Sequence, residues 1–181
     1  MYLVAAVVAV AAAAPAEADQ QDPRLDALFA SLKAATAPSE ETEAAERQIW
    51  DIWSQHGDEA VADLLSNGTL AMHLREFEEA VEAFSLVVDK APDFAEGWNK
   101  RATVFYLMGR YQDSAADVAR TLELEPRHFG ALSGLGLINA ALGNNEAALK
   151  AFRAALEINP HMPGARANAE VLEDMLEDNK I

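Results

Sequence analysis

The sequence predicts an all-α solenoid of stacked helix–turn–helix units, and three observations predict it. Pro92, Pro126 and Pro160 stand 34 residues apart. Other residues recur in the same phase: Gly68 with Gly136, Ala80 with Ser114 and Ala148, and Phe84 with Val118 and Phe152. A fixed period of this length marks a supersecondary unit that buries its apolar face on its neighbours. The third observation is composition. Hydrophobic residues make up 51% and aromatics only 7%, with alanine abundant, which suits close-packed helices better than a β-sandwich. The periodic region, 58–160, divides into units of about 61–94, 95–128 and 129–162.

Met1–Ala14 is an unbroken apolar run. It is short of the roughly 20 residues of a helical membrane span but fits the core of a secretory signal. Ala14-Pro15-Ala16 and Ala16-Glu17-Ala18 follow as small-residue cleavage sites, although no Lys or Arg precedes the run. Residues 1–18 are therefore expected to be a signal peptide, either weak or with a start further upstream. An uncleaved anchor and a buried apolar helix are the alternatives. The expected destination is the periplasm, with secretion as second choice and no stable membrane insertion after cleavage.

Residues 19–57 lack the repeat signature. Asp22-Pro23 opens a helix well, because Asp accepts from free N–H groups and Pro fits the first turn. Leu25, Leu28, Phe29 and Leu32 then form one apolar stripe. Ser39 caps a second helix whose first turn carries Glu40, Glu41 and Glu43, the favoured sign at that end of the dipole. Its buried face is Ile49, Ile52 and Trp53, and Gly57 is the expected stop. This pair reads as a cap on the first unit, a degenerate fourth repeat, or a binding element.

Each unit places a tight turn between its two helices: Leu74-Arg75-Glu76, Met108-Gly109-Arg110 and Leu142-Gly143-Asn144. Gly109 and Gly143 supply the positive φ that lets a helix stop. Gly68, Ala102 and Gly136 on first helices face Ala80, Ser114 and Ala148 on second helices, allowing close approach. Trp98, Phe84, Leu132 and Phe152 are expected to fill the space between units. The prolines end the second helices. Residues 163–181 form a capping helix, with Val171, Leu172, Met175 and Leu176 inward and Glu170, Glu173, Asp174, Glu177 and Asp178 outward.

The formal net charge of −16, from 30 acidic and 14 basic residues, argues against nucleic-acid binding, which needs a basic footprint. The absence of cysteine excludes disulfides, thiolate chemistry and a lipid-anchoring cysteine. There is no H-E-x-x-H and no G-x-S-x-G. His56, His73, His128 and His161 lack ligand spacing, and no carboxylate pair stands out as acid and base. No catalytic residue, metal or cofactor is expected.

The phase positions resemble the tetratricopeptide repeat (TPR) pattern W-x-x-L-G-x-x-Y, later A and F, closing P. Leu64, Gly68, Ala80, Phe84 and Pro92 match in the first unit, and Trp98, Phe105 and Pro126 in the second. Leu132, Leu135, Gly136, Ala148, Phe152, Ala155 and Pro160 match in the third. Ala71, Arg101 and Asn139 depart from the pattern. The resemblance implies a concave groove lined by first-helix residues. These are Ala62, Leu65, Thr69 and Met72, then Glu96, Asn99, Thr103 and Tyr106, then Gly130, Ser133, Leu137 and Ala140. Asn99, Thr103, Tyr106, Ser133, Thr69 and Met72, together with the cations Lys100 and Arg101, are the expected partner-binding residues. Arg101 either reaches the groove edge or satisfies helix carbonyls. A carboxylate clamp of the co-chaperone kind would need Lys, Asn and Arg where this chain has Leu65, Thr69, Gly130 and Gly134. With its signal-like start and the stretches PDFAEGWNKRATVFYLMGR and EPRHFGALSGLG, the chain also resembles small periplasmic TPR proteins of alphaproteobacteria associated with envelope maintenance. The implied function is a non-catalytic adaptor for a protein or peptide. The alternatives are self-association into a homodimer through Trp50/Trp53 or an imperfect end cap, and an accessory subunit of a cell-wall enzyme or an unrecognised hydrolase.

Overall fold

A computed structural model describes residues 20–178, which form nine α-helices and no strand. The expected signal, residues 1–18, lies outside the described residues. Two helices precede the repeats, α1 (Arg24–Ala34) and α2 (Glu40–Trp53). The units follow as α3 (Glu59–Leu74) with α4 (Phe77–Lys90), α5 (Ala95–Leu107) with α6 (Tyr111–Leu124), and α7 (Phe129–Ala141) with α8 (Asn145–Ile158). The last helix is α9 (Pro163–Asp178). This is the all-α solenoid the period predicts.

Local chemistry sets the helix ends. Asp22 Oδ1 accepts from Arg24 N at 2.8 Å. Ser39 and Thr42 cap one another's backbone N–H groups. Asp58, not singled out in the sequence, caps α3 through Ala60 N at 2.8 Å. The expected stop at Gly57 is corrected: α2 already ends at Trp53, and Ser54 N–H closes its last turn onto Trp50 O. Gly57 belongs to the connection.

The three intra-unit turns share one hydrogen-bond pattern. Gly109 N donates to Tyr106 O and Arg110 N to Phe105 O, and Gly143 and Asn144 repeat this on Ala140 and Asn139. The crossed 5→2 and 6→1 bonds require a left-handed residue, supplied by Gly109 at φ 74° and Gly143 at φ 77°. In the first unit Arg75 adopts φ 64° in the same place. Second helices end where φ leaves the α region one residue before each proline, at Ala91 (−130°), Glu125 (−134°) and Asn159 (−122°), as the proline ring demands.

Glycine sets the closest helix approaches. A Cβ on Gly68 would lie 2.7 Å from the Phe84 ring, and one on Gly136 would lie 2.6 Å from Phe152. Both rings are fully buried. In the middle unit Ser114 Oγ donates to Ala102 O at 2.7 Å, so the hydroxyl is satisfied inside the contact. The expectation for Trp98 and Leu132 is corrected. Both are only half-buried, and Phe94 and Phe129 are the rings fully enclosed at the unit boundaries. Along α9 the buried residues are Ala165, Ala169 and Leu172, against Ala148, Leu149 and Phe152. Val171 and Met175, expected inward, are exposed.

The N-terminal pair packs on the later units. Leu25, Phe29 and Leu32 pack with Ala45, Ile49, Ile52 and Trp53, and that cluster continues onto Phe129, Ile158 and Met162. The hairpin thus lies along the turns between units rather than stacked beneath α3. Polar ties run along the same edge. Gln20 Nε2 donates to Asp93 O at 2.6 Å, Arg127 pairs with Asp26 at 2.6 Å, and Asn159 Nδ2 donates to Glu46 at 3.1 Å. The apolar face of the hairpin meets Phe129, Ile158 and Met162 there. Burying Trp53 to 1% exposure also removes it from the Trp50/Trp53 surface of the alternative reading, self-association.

Candidate functional site

The first helices α5 and α7 bring Asn99, Thr103, Tyr106, Ser133 and Leu137 together. Between α5 and α7 these residues enclose a socket of about 230 Å³. Asn99, Thr103 and Tyr106 form one wall, Ser133, Gly134 and Leu137 the other, and Ala102, Val118 and Ile138 lie deeper. Met162 also lines it. Thr103 Oγ1 donates to Asn99 O within its own helix at 2.9 Å, which leaves its methyl group and oxygen lone pair for a visitor. Tyr106 packs at 5.6 Å from Tyr111 and remains half-exposed.

The expected site residues therefore separate. Asn99, Thr103, Tyr106 and Ser133 share the socket. Thr69 and Lys100 line a second hollow with Ala62, Leu65 and Ser54. Met72 packs half-buried against the α3–α5 core. Arg101 is corrected outright. Its guanidinium makes two hydrogen bonds to Asp117 (2.7 and 2.9 Å) and one to Ser85 (3.2 Å), and it stacks over Trp98 and Phe105. The Asp117 hydrogen bonds raise its pKa further. Arg101 joins α4, α5 and α6 as scaffold, neither at the groove edge nor on helix carbonyls.

One end of the groove holds a buried polar cluster that sequence reasoning missed. Glu96 and His128 are both fully enclosed, with Glu96 Oε2 3.0 Å from His128 Nε2. His128 Nδ1 accepts from Ala131 N at 3.1 Å, so Nε2 carries the proton and donates it to the carboxylate. Asn99 Nδ2 donates to the same oxygen at 2.9 Å. Lys100 Nζ lies 3.3 Å from Oε1 without hydrogen-bond alignment. Burial alone would push the Glu96 carboxyl up, but the His128, Lys100 and Asn99 contacts outweigh it and hold the group below its ordinary value. Trp53 stacks on the His128 ring at 4.1 Å and 10°. Trp50 covers Gly130, whose Cβ would meet it at 2.5 Å. A signal existed: His128 occupies the phase of Phe94 and Met162, and Glu96 that of Ala62 and Gly130. A polar residue at an apolar phase needs a buried partner.

The cluster fixes Asn99 by one of its N–H groups, so its remaining polar capacity toward the socket is smaller than the sequence suggested. Of the expected groove residues, Glu96 is taken up by His128, Asn99 and Lys100, and Gly130 is covered on one side by Trp50. Among the described residues no group of three or more His, Asp or Glu is arranged to hold a metal, and no helix is long and apolar enough to cross a membrane.

A family model described as tetratricopeptide repeat matches residues 65–116 and 99–163. A TPR repeat-containing protein of Rhizobium etli is 34% identical over 157 residues, covering 87% of this chain and 76% of that protein. The Hsp70-Hsp90 organizing protein of Triticum aestivum is 32% identical over 61% of this chain, which spans only 18% of that relative. Among solved structures, the Sgt2 TPR domain of Aspergillus fumigatus superposes with a TM-score of 0.65 at 21% identity, over 68% of this chain and 83% of its own. The first TPR of Spaghetti, solved bound to the HSP90 peptide SRMEEVD, gives 0.64 at 19% identity, over 66% and 94%. At these identities the structural likeness shows the fold.

Proposed function

The chain belongs to the tetratricopeptide repeat family, and from that premise we propose that it is a non-catalytic adaptor that holds a segment of another protein in its concave groove. The observation that carries this is the α5–α7 socket, which gathers Asn99, Thr103, Tyr106 and Ser133. Peptide binding by TPR domains, as in Spaghetti with its HSP90 peptide, supports it. We propose further that the protein is exported and serves the cell envelope from the periplasm. The apolar run Met1–Ala14 and the small-residue sites after it support export.

The test is crosslinking capture from periplasmic extract with the wild type and with Thr103→Ala/Tyr106→Ala. Neither residue is buried, so the variant should melt within a few degrees of the wild type. A protein captured only by the wild type supports the groove reading. Identical capture by both removes it. Fractionation and N-terminal sequencing of the native protein test export: an intact Met1 in the cytoplasmic fraction refutes it.

A further inference from the structure

Resting on the groove reading, we propose that the partner is a neutral-to-basic segment that inserts a single aliphatic or aromatic side chain between α5 and α7. Three features of the socket specify this chemistry. At about 230 Å³ it is smaller than the roughly 300–1,000 Å³ of a small-molecule site and suits one anchoring side chain, the usual centre of a protein interface. None of its lining residues is charged, and its deeper part is Ala102, Val118 and Ile138. Over Gly134 the space is open, with no atom within 4 Å of where a Cβ would stand. Entry for an apolar group lies there.

Electrostatics decides against an acidic partner. The two cations of α5 nearest the socket are already neutralised: Lys100 lies 3.3 Å from the buried Glu96, and Arg101 is held by both oxygens of Asp117. A carboxylate arriving in the groove meets no free cation from either. The whole chain carries a net charge of −16, whose field draws in Lys and Arg flanks and repels Asp and Glu flanks. The groove therefore differs in chemistry from one that takes a peptide such as SRMEEVD, although the fold is shared.

The test is selection of a random twelve-residue peptide library on the full chain. Binding of the synthesised winners is then measured by fluorescence anisotropy against wild type, Gly134→Leu and Tyr106→Ala, with SRMEEVD as the acidic probe. Gly134→Leu starts from a position where a Cβ meets nothing and carries its side chain into the entry, and circular dichroism checks its fold. The expected winners share one Leu, Met or Phe flanked by Lys or Arg. They should lose at least tenfold in affinity on Gly134→Leu and weaken as salt rises, while SRMEEVD binds at least tenfold less well. Acidic winners, or SRMEEVD bound as tightly as the winners and displaced by Gly134→Leu, overturn the inference but leave the groove reading standing. Winners indifferent to both substitutions, or none, overturn both. Light scattering that shows a dimer abolished by Gly134→Leu assigns the socket to a second copy and equally overturns the inference.

Discussion

Gly134 and Gly136, which flank Leu135 on α7, should respond differently to alanine. Replacing a helix-interior glycine by alanine gains about 1 kcal/mol from backbone propensity. At Gly134 nothing lies within 4 Å of the new Cβ, so Gly134→Ala should keep that gain and raise Tm by about 2–4 °C for a chain of this size. At Gly136 the new methyl would stand 2.6–2.7 Å from three atoms of the Phe152 ring. That ring is completely buried beneath α9 among Ala165, Ala169 and Leu172, and cannot swing away as a surface side chain would. Overpacking of this kind costs about 1–3 kcal/mol, so the propensity gain is offset or exceeded, and Gly136→Ala should lie about 1–3 kcal/mol below Gly134→Ala. Urea unfolding followed by helical circular dichroism measures both, and equal m-values confirm that the native state is what changed. If Gly136→Ala were as stabilising as Gly134→Ala, glycine would not be what brings α7 and α8 together, and the phase-matched contact of Gly68 with Phe84 would lose its explanation as well.

Three further outcomes follow from particular contacts. Arg75 holds a left-handed conformation that costs a residue with a side chain about 1–2 kcal/mol. Arg75→Gly should therefore raise the thermal midpoint, whereas Gly109→Ala should lower it; a fall for Arg75→Gly would contradict the assignment of that turn. Glu96 is held below its ordinary value of 4.5, so its contribution to stability is complete above that value and fades as pH falls through the lowered folded value. Glu96→Gln should be less stable than the wild type at neutral pH, and the gap should close on acidification. A gap independent of pH would mean that packing, not charge, explains the loss. Asp117→Ala strands the Arg101 guanidinium between α4 and α6 and should cost about 3 kcal/mol in chemical denaturation. A loss below 0.5 kcal/mol, taken as roughly that of a surface substitution, would show that the pair is dispensable scaffold.

The architecture was legible in the sequence because a repeat writes each local rule three times. Proline in one phase, small residues in a second and aromatic or β-branched residues in a third each dictate a local feature: a helix end, a close crossing, a filled gap. Two left-handed turns were readable from Gly109 and Gly143, and four of the eight expected site residues come together because repeat phase alone decides which side of a helix faces the groove. Phase is silent on contacts between segments distant in sequence. The hairpin of α1 and α2 has an apolar face that any complementary surface would satisfy, and only the folded chain shows that Phe129, Ile158 and Met162, at helix ends and the connection before α9, supply it. The same docking seals Glu96 and His128 from water, 32 residues apart, and turns a groove-lining carboxylate and a scattered histidine into a buried pair. Arg101 shows the matching limit, since its phase leaves open whether a guanidinium serves a partner or a neighbouring helix. Asp117, 16 residues away, settles it. Helix period and packing size are local properties of sequence; the fate of each charge depends on which opposite charge the fold brings within 3 Å.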